Sequence, residues 1–284
     1  MKSSSARNLL AEFQSLESLE LKSEEFKFFA DKMYQLAGVA LPENDKNHAL
    51  MKNRLAKLLR TYAFSSYGDL IQKLKSATPE LTNEFISCLT TNKTDFFRES
   101  YHFEFMQDYL KTHFKTNQDL RIWCAAASTG PEPYTLSMVC HETLTASEMS
   151  RTKILATDID MDALGKAADG MYARSEMSGL PPALEKKYFE EIAGLYRASE
   201  TITKPLHFSQ FNLVKGPYQF QKPFHMIFCR NVLIYFDDPT IDRVITNLIS
   251  CLAPGGFLFL GHSESGAMRI KTAKPLSRAI FQKV

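Results

Sequence analysis

WCAAASTGPEPY, residues 123–134, reads as the turn between a strand and a helix. An apolar run, 121–126, leads into it, and a helix-like stretch, 132–145, leads out. Ala125, Ala126, Ala127, Ser128 and Gly130 are small, so a ligand can come close to the backbone there. The stretch is not the G-x-G-x-x-G dinucleotide fingerprint, and no G-K-[ST] follows to make a P-loop. Glu132 opens the helix, and a carboxylate at this turn is a poor neighbour for phosphate. It suits a cationic group such as an ammonium. The competing reading is a first-turn acid favoured by the helix dipole.

Working outward, the same strand–helix alternation continues. Apolar runs at 153–157, 206–211, 225–229, 257–260 and 279–284 alternate with helix-like stretches at 161–170 and 240–252. Such alternation predicts a parallel, doubly wound sheet with crossover helices. Residues 172–205 interrupt it and read as an insertion longer than an ordinary connection. Toward the N-terminus the period changes. Phe26, Phe29, Met33 and Leu36, then Met51, Leu55, Leu58, Leu59 and Tyr62, then Leu70 and Leu74, then Leu81, Phe85 and Leu89 recur at helical spacings. A small all-helical domain ending near Leu89 is expected.

Ligands of open parallel sheets lie outside the carboxyl ends of the strands. The second strand ends in ATDID, 156–160, where Asp158 can accept hydrogen bonds from both hydroxyls of a ribose. Asp158 could instead cap the next helix, but Asp160, directly before 161–170, fits that role better. After the third strand come Asn212 and Leu213, and after the fourth FCRNVLIYFD, 228–237, which holds Asn231. Each Asn offers the donor and acceptor pair that an adenine edge requires, or serves as a turn residue. Small residues, a ribose acid and no phosphate grip suggest a nucleoside ligand without phosphates. S-adenosylmethionine fits, and a nicotinamide-dependent oxidoreductase fits less well.

Composition sets the outer bounds. At 284 residues the chain holds one large domain or two smaller ones, given about 150 residues per domain. Hydrophobic content of 44% and charged content of 23% exclude a disordered or fibrous chain. A net charge of +2 supplies no global field toward nucleic acid or anionic lipid. No apolar run approaches a membrane span, and the first residues lack the apolar core of a signal peptide. Five cysteines, an odd number without a C-x-x-C pair, fit a reduced, cytoplasmic protein. The seven histidines show no zinc-ligand spacing with them, so no metal is expected.

TTNKTDFFRE (90–99), WCAAASTGPEPY, FCRNVLIYFD and GGFLFLGHSES (255–265) occur in this order. Together they resemble the chemotaxis receptor methyltransferases, the CheR family, from about residue 20 to the C-terminus. The resemblance implies a Rossmann-like class I S-adenosylmethionine-dependent methyltransferase sheet in an α/β fold, with an N-terminal all-helical domain and a small β insert. The implied division is a flexible segment 1–19, a helical substrate-recognition domain 20–90, a linker helix 91–115 and a methyltransferase domain 116–284, with the insert at about 172–205. The implied activity is methyl transfer to glutamate side chains of chemoreceptor cytoplasmic helices, leaving S-adenosylhomocysteine. Carried over by motif, Asn92, Thr94 and Arg98 line the cofactor site and Glu132 meets the methionyl ammonium. Asp158 takes the ribose, while Asn212, Leu213, Arg230 and Asn231 close around the adenosine and methyl end. Tyr235 faces the transferring methyl. The planar fork of Arg98 suits a carboxylate, either that of the acceptor glutamate or that of the cofactor. The chain departs from the family in having Pro131 where a first glutamate is usual, and a lone Gly194 where tether-binding members have a glycine-richer loop.

A glutamate acceptor, with a reference pKa of about 4.3, is already ionised at neutral pH, so no general base is required. No Ser–His–Asp or Cys–His arrangement is evident. For an acidic receptor bundle a basic surface is expected. Lys46, Arg54, Lys57 and Arg60 project into an arc of about 120° on a helix, opposite Met51, Leu55, Leu58, Leu59 and Tyr62. The competing reading is an ordinary solvated face. The expected partners are methyl-accepting receptors, without nucleic acid or membrane insertion, and the expected state is a monomer. Other readings are a methyltransferase with another substrate, or a module that binds S-adenosylmethionine without catalysis. Amino-methylating DNA enzymes carry [DNS]-P-P-[YF] after the fourth strand, where this chain has Arg230-Asn231-Val232-Leu233.

Overall fold

Polar caps divide the first part of the chain into helices. The side chains of Asn44, Ser66 and Thr78 each accept the backbone N–H three residues on, opening α2 (Asp45–Thr61), α3 (Tyr67–Lys75) and α4 (Pro79–Leu89) behind α1 (Ser23–Ala37). The computed structural model describes residues 19–114, 119–267 and 272–284. Residues 1–18, expected to be flexible, lie outside that range. The chain falls into two compact units, with the boundary in the sequence between Thr91 and Asn92.

In the first unit the periodic positions converge on one core. Phe26, Phe29, Met33, Met51, Leu55, Leu58, Leu59, Leu70, Leu74, Phe85 and Leu89 are buried. Tyr62 departs from the expected apolar face. Helix α2 ends at Thr61, and Tyr62 is 36% exposed and stacks on Phe64.

The second unit begins with an irregular stretch over 92–95, turns over 96–100 and α5 (Tyr101–His113), where a linker helix over 91–115 was expected. The alternating elements follow: β1 (Leu120–Cys124), α6 (Pro131–Thr143), α7 (Ala146–Met149), β2 (Thr152–Asp158) and α8 (Met161–Asp169). Next comes the insert, with β3 (Met171–Ala173), α9 (Pro182–Tyr188), β4 (Phe189–Ile192) and β5 (Leu195–Ala198). The chain then completes α10 (Glu200–Thr203), β6 (Leu206–Gln210), β7 (Phe224–Cys229), α11 (Asp238–Cys251), β8 (Leu252–Leu260), β9 (Ala273–Ser277) and β10 (Ile280–Lys283).

The main sheet has the order β6-β2-β1-β7-β8-β10-β9. Strands β6 to β8 of that order are parallel, and β10 and β9 are antiparallel. Six strands match the apolar runs. The seventh, β9, has four exposed positions and Pro275, so its sequence reads as a loop. Proline is tolerated because β9 is an edge strand. A core lies on each face of the sheet. Phe103, Met106, Leu136 and Leu164 pack on one face, and Val244, Ile245, Leu248 and Ile249 of α11 on the other. The insert forms its own antiparallel sheet, β3-β5-β4. Strand β1 lies between β2 and β7, so the strand order reverses there, and ligands of open parallel sheets lie outside the carboxyl ends of the strands at such a point.

Candidate active site

The β1 tip is shaped by two left-handed residues, Ser128 at φ 51° and Gly130 at φ 106°. A Cβ at Gly130 would overlap the Tyr172 hydroxyl and sit 3.1 Å from the Ala167 Cα, so both conformation and space demand glycine. Pro131 then occupies the first helical turn, where its missing N–H is harmless. Ser128 donates its N–H to Asp158 Oδ2 at 2.8 Å and its hydroxyl to the Asn92 carbonyl at 3.1 Å.

Asp158, at the β2 tip, accepts a second N–H, from Asp160, on Oδ1 at 3.0 Å. Burial raises its pKa, against the pull of these N–H groups. A carboxylate offers about four acceptor positions, so Asp158 keeps capacity for a further donor such as a hydroxyl. It is not the helix cap. Asp160 caps α8 through the N–H groups of Asp162 and Ala163, and its other oxygen accepts Asn92 Nδ2 at 2.6 Å. At the β6 tip Asn212 Oδ1 accepts the Val214 N–H at 3.1 Å, a turn-stabilising bond. Leu213 is buried, and its carbonyl accepts the Tyr218 hydroxyl.

Arg230, at the β7 tip, is only 4% exposed. Its Nη1 donates to Glu132 Oε2 at 2.6 Å, and its Nη2 pairs with Glu99 Oε2 at 3.1 Å and also donates to the Arg98 carbonyl. Burial opposes its charge, but Glu132 and Glu99 more than compensate, so its pKa is raised. Glu99 shows the converse. Burial would raise its pKa, yet Arg230, the His262 N–H and Asn231 together lower it. Glu99 accepts Asn231 Nδ2 at 3.3 Å and the His262 N–H at 3.2 Å, so His262 contributes its backbone here. Glu132 Oε1 accepts the Cys124 thiol at 3.3 Å.

Two networks therefore assemble the expected residues. Asn92 joins the β1 and β2 tips, and Arg98, Glu132, Arg230 and Asn231 meet around Glu99. The Arg230 guanidinium, expected beside the adenosine, is committed to protein partners at both terminal nitrogens. Arg98 Nη1 rests on the Lys93 carbonyl at 3.0 Å, between left-handed Phe97 and Glu99. Thr94 is half-buried on the same segment. Tyr235 is half-buried at the end of a 3-10 turn, Leu233–Tyr235, that follows Asn231.

Glu99 and Glu264 were not singled out in the sequence, although both lie inside quoted motifs. Glu264 is 3% exposed and accepts four backbone N–H groups. With Glu99, four carboxylates (Glu99, Glu132, Asp158 and Asp160) stand against the guanidiniums of Arg98 and Arg230, while Glu264 is enclosed by backbone donors. The excess of negative charge favours a cationic ligand.

In the first unit Lys46, Lys57 and Arg60 are exposed. Arg54 is not an open surface cation. Its Nη1 donates to the Leu89 and Thr90 carbonyls, each at 2.7 Å, and its Nη2 to Thr91 Oγ1 at 3.0 Å. It thus closes the C-terminal end of α4. Among the described residues no helix is long and apolar enough to cross a membrane, and no group of His, Cys, Asp or Glu could hold a metal ion.

Two family models cover this architecture in order. "CheR methyltransferase, all-alpha domain" matches residues 24–90, and "CheR methyltransferase, SAM binding domain" matches 92–278. The chain is similar to the chemotaxis protein methyltransferase of Escherichia coli K12, with 35% identity over 257 residues, covering 89% of this chain and 88% of the relative. Similarity to chemotaxis protein methyltransferase 2 of Pseudomonas aeruginosa is 35% over 246 residues, covering 85% and 86%. That of Borreliella burgdorferi is 34% identical over 242 residues, covering 82% and 85%. With the sheet order, the strand-tip acids and both matched segments in agreement, the chain belongs to the CheR methyltransferase family.

Proposed function

We propose that this protein transfers the methyl group of S-adenosylmethionine to glutamate side chains of chemoreceptor cytoplasmic helices, forming glutamyl methyl esters. The observation that carries the reading is the excess of carboxylates at the strand tips, with no phosphate-binding loop beside them. S-adenosylmethionine, when bound, supplies a methyl group on a sulfonium, and its ammonium adds a second positive charge. Asp158 has the acceptor capacity to hold a ribose hydroxyl. Ala125 to Ala127 leave room at the backbone, and Glu132, with Glu99 and Arg230, sets a negative wall. Asn212, Leu213 and Asn231 flank the adenosine, and Asn92 and Thr94 hold the cofactor from the 92–99 segment.

The acceptor glutamate arrives ionised, so the protein has no proton to remove. Its task is to exclude water and align the carboxylate with the methyl. The planar fork of Arg98 orients the carboxylate, and Tyr235 packs or hydrogen-bonds along the methyl path. A tight Arg98–carboxylate pair would stabilise the nucleophile before reaction and slow transfer, so the grip must be loose. The helical unit recognises the acidic receptor bundle through Lys46, Lys57 and Arg60, while Arg54 supports the helix beside them. The protein works in the cytoplasm as a monomer, without a metal.

The test is transfer of radiolabelled methyl from S-adenosylmethionine to receptor membranes. Label released as volatile methanol by mild base identifies esters. Base-stable label would mean N- or C-methylation and overturn the glutamate assignment.

A further inference from the structure

The turn that joins β7 to α11 has little regular structure of its own to satisfy its backbone. The turn itself satisfies the N–H groups of Tyr235 and Phe236, through the Val232 and Leu233 carbonyls, but those of Asn231, Leu233 and Ile234 need partners from elsewhere. One side chain, 30 to 33 residues further along, supplies them. Glu264 Oε2 accepts the Asn231 N–H at 2.8 Å, and Oε1 accepts those of Leu233 and Ile234 at 2.7 and 3.3 Å. Oε2 also accepts the Gly261 N–H at 2.6 Å, which ties the carboxylate to the tip of β8. The Glu264 N–H returns to the Gly261 carbonyl at 2.9 Å.

The fit is close. A Cβ at Gly261 would lie 2.6 Å from Asn231 Nδ2, 2.7 Å from Glu264 Oε2 and 2.9 Å from the Asn231 nitrogen. Asn231 itself is left-handed, at φ 57°, a conformation that surrounding bonds must hold. Neither the sulfonium chemistry nor the acceptor requires this carboxylate. It is shielded from solvent, and its oxygens are filled by backbone donors.

We propose that Glu264 is a positioning residue for methyl transfer. By accepting the N–H groups of Asn231, Leu233 and Ile234 it fixes the turn that carries Asn231 and Tyr235. The inference rests on the methyltransferase reading for the role of Tyr235, but the hydrogen-bond geometry stands without it. Glu264→Gln retains the shape but places an amide NH2 where an oxygen accepts two N–H groups. Glu264→Asp retains both oxygens, one methylene short.

The test combines amide hydrogen exchange, S-adenosylhomocysteine calorimetry and methylation kinetics on the full chain. In Glu264→Gln, protection at Asn231, Leu233 and Ile234 is expected to fall at least tenfold, with the amides of β7 and β1 unchanged. Displacing Tyr235 by about 1 Å lowers kcat by about 100-fold, and the affinity for S-adenosylhomocysteine changes far less. Glu264→Asp should recover part of both the protection and kcat. Wild-type protection with wild-type kcat in Glu264→Gln overturns the proposal. So does loss of protection throughout β7 and β1 in both variants, which would make Glu264 a general fold residue. If the wild-type chain methylates no receptor, the substrate reading fails, while the exchange pattern still decides whether Glu264 holds the turn.

Discussion

Arg54 separates recognition from folding on the basic helix, and replacing it by Met is the sharpest available perturbation. The substitution keeps the aliphatic stem but removes three hydrogen bonds to Leu89, Thr90 and Thr91. A bond from a charged donor contributes about 1.5–3 kcal/mol when its partner is left unsatisfied. Arg54 is half-buried, so water can replace part of this, and the net loss should be about 2 kcal/mol. That is roughly a 30-fold fall in the folded-to-unfolded ratio. Lys57, exposed one turn away, should change stability by no more than about 0.5 kcal/mol when reversed to Glu. Urea unfolding of the full chain followed by circular dichroism measures the first effect, and receptor methylation at varied receptor concentration the second. Arg54→Met is expected to lower the unfolding midpoint with little change in receptor KM. Lys57→Glu should raise KM at unchanged midpoint. An Arg54→Met protein as stable as wild type, but with raised receptor KM, would refute the capping argument and restore Arg54 to the docking surface.

Asp158→Asn should weaken S-adenosylhomocysteine binding at least tenfold in calorimetry and cost some stability, since its NH2 replaces an oxygen that accepts a backbone N–H, and Asp160→Ala should cost about 1 kcal/mol through loss of the α8 cap; unchanged affinity in Asp158→Asn would remove the ribose assignment. Gly130→Ala should abolish that binding and destabilise the fold, and adding Tyr172→Phe should recover only part, because the φ of 106° remains strained. His102 is fully buried, and burial, reinforced by Arg230, holds its ring at about 3. The folded ring stays neutral while the unfolded chain takes up a proton below about 6.5, so stability falls as pH drops through that value, by about 2 kcal/mol at pH 5. Urea midpoints at pH 7.5 and 5 should differ less in His102→Phe than in wild type, and an equal difference would exclude the histidine as the cause.

The sheet was legible because its central strands β1, β7 and β8 are largely buried and read as apolar runs. The helical unit was legible for the complementary reason, one buried face per helix. What escaped was the polar wiring. Glu99 and Glu264 lie beside residues that drew attention, but nothing local reveals that one will meet Arg230 and the other the N–H groups of a turn 30 residues earlier. Glu264 meets that turn only once β7 and β8 pair in register, and Glu99 reaches Arg230 only when the 92–99 segment packs at the strand tips. The bonding of Arg54 escaped for a related reason. Helical angles put it on the solvent side with Lys57, and only the arrival of the α4 terminus beside it shows which carbonyls it serves. Asp160 was correctly preferred to Asp158 as the helix cap because that decision needs only local sequence.

The Glu99–Arg230–Glu132 cluster deserves a physical reason beyond stability. A buried ion cluster gains little net free energy, because desolvation offsets most of the attraction. Removing one member is nevertheless costly, since the others are left uncompensated. That combination penalises misplacement more than it rewards formation. Here the members come from the 92–99 segment, the start of α6 and the tip of β7. Any shift of the segment relative to the sheet would leave Arg230 or a carboxylate without its partner in a dry environment. The cluster therefore fixes the register of three separate pieces of chain at the strand tips. Phe97 and Glu99, held at left-handed φ on either side of Arg98, are conformations that such an anchor can impose. On this argument the 92–99 segment is set in place before any ligand arrives.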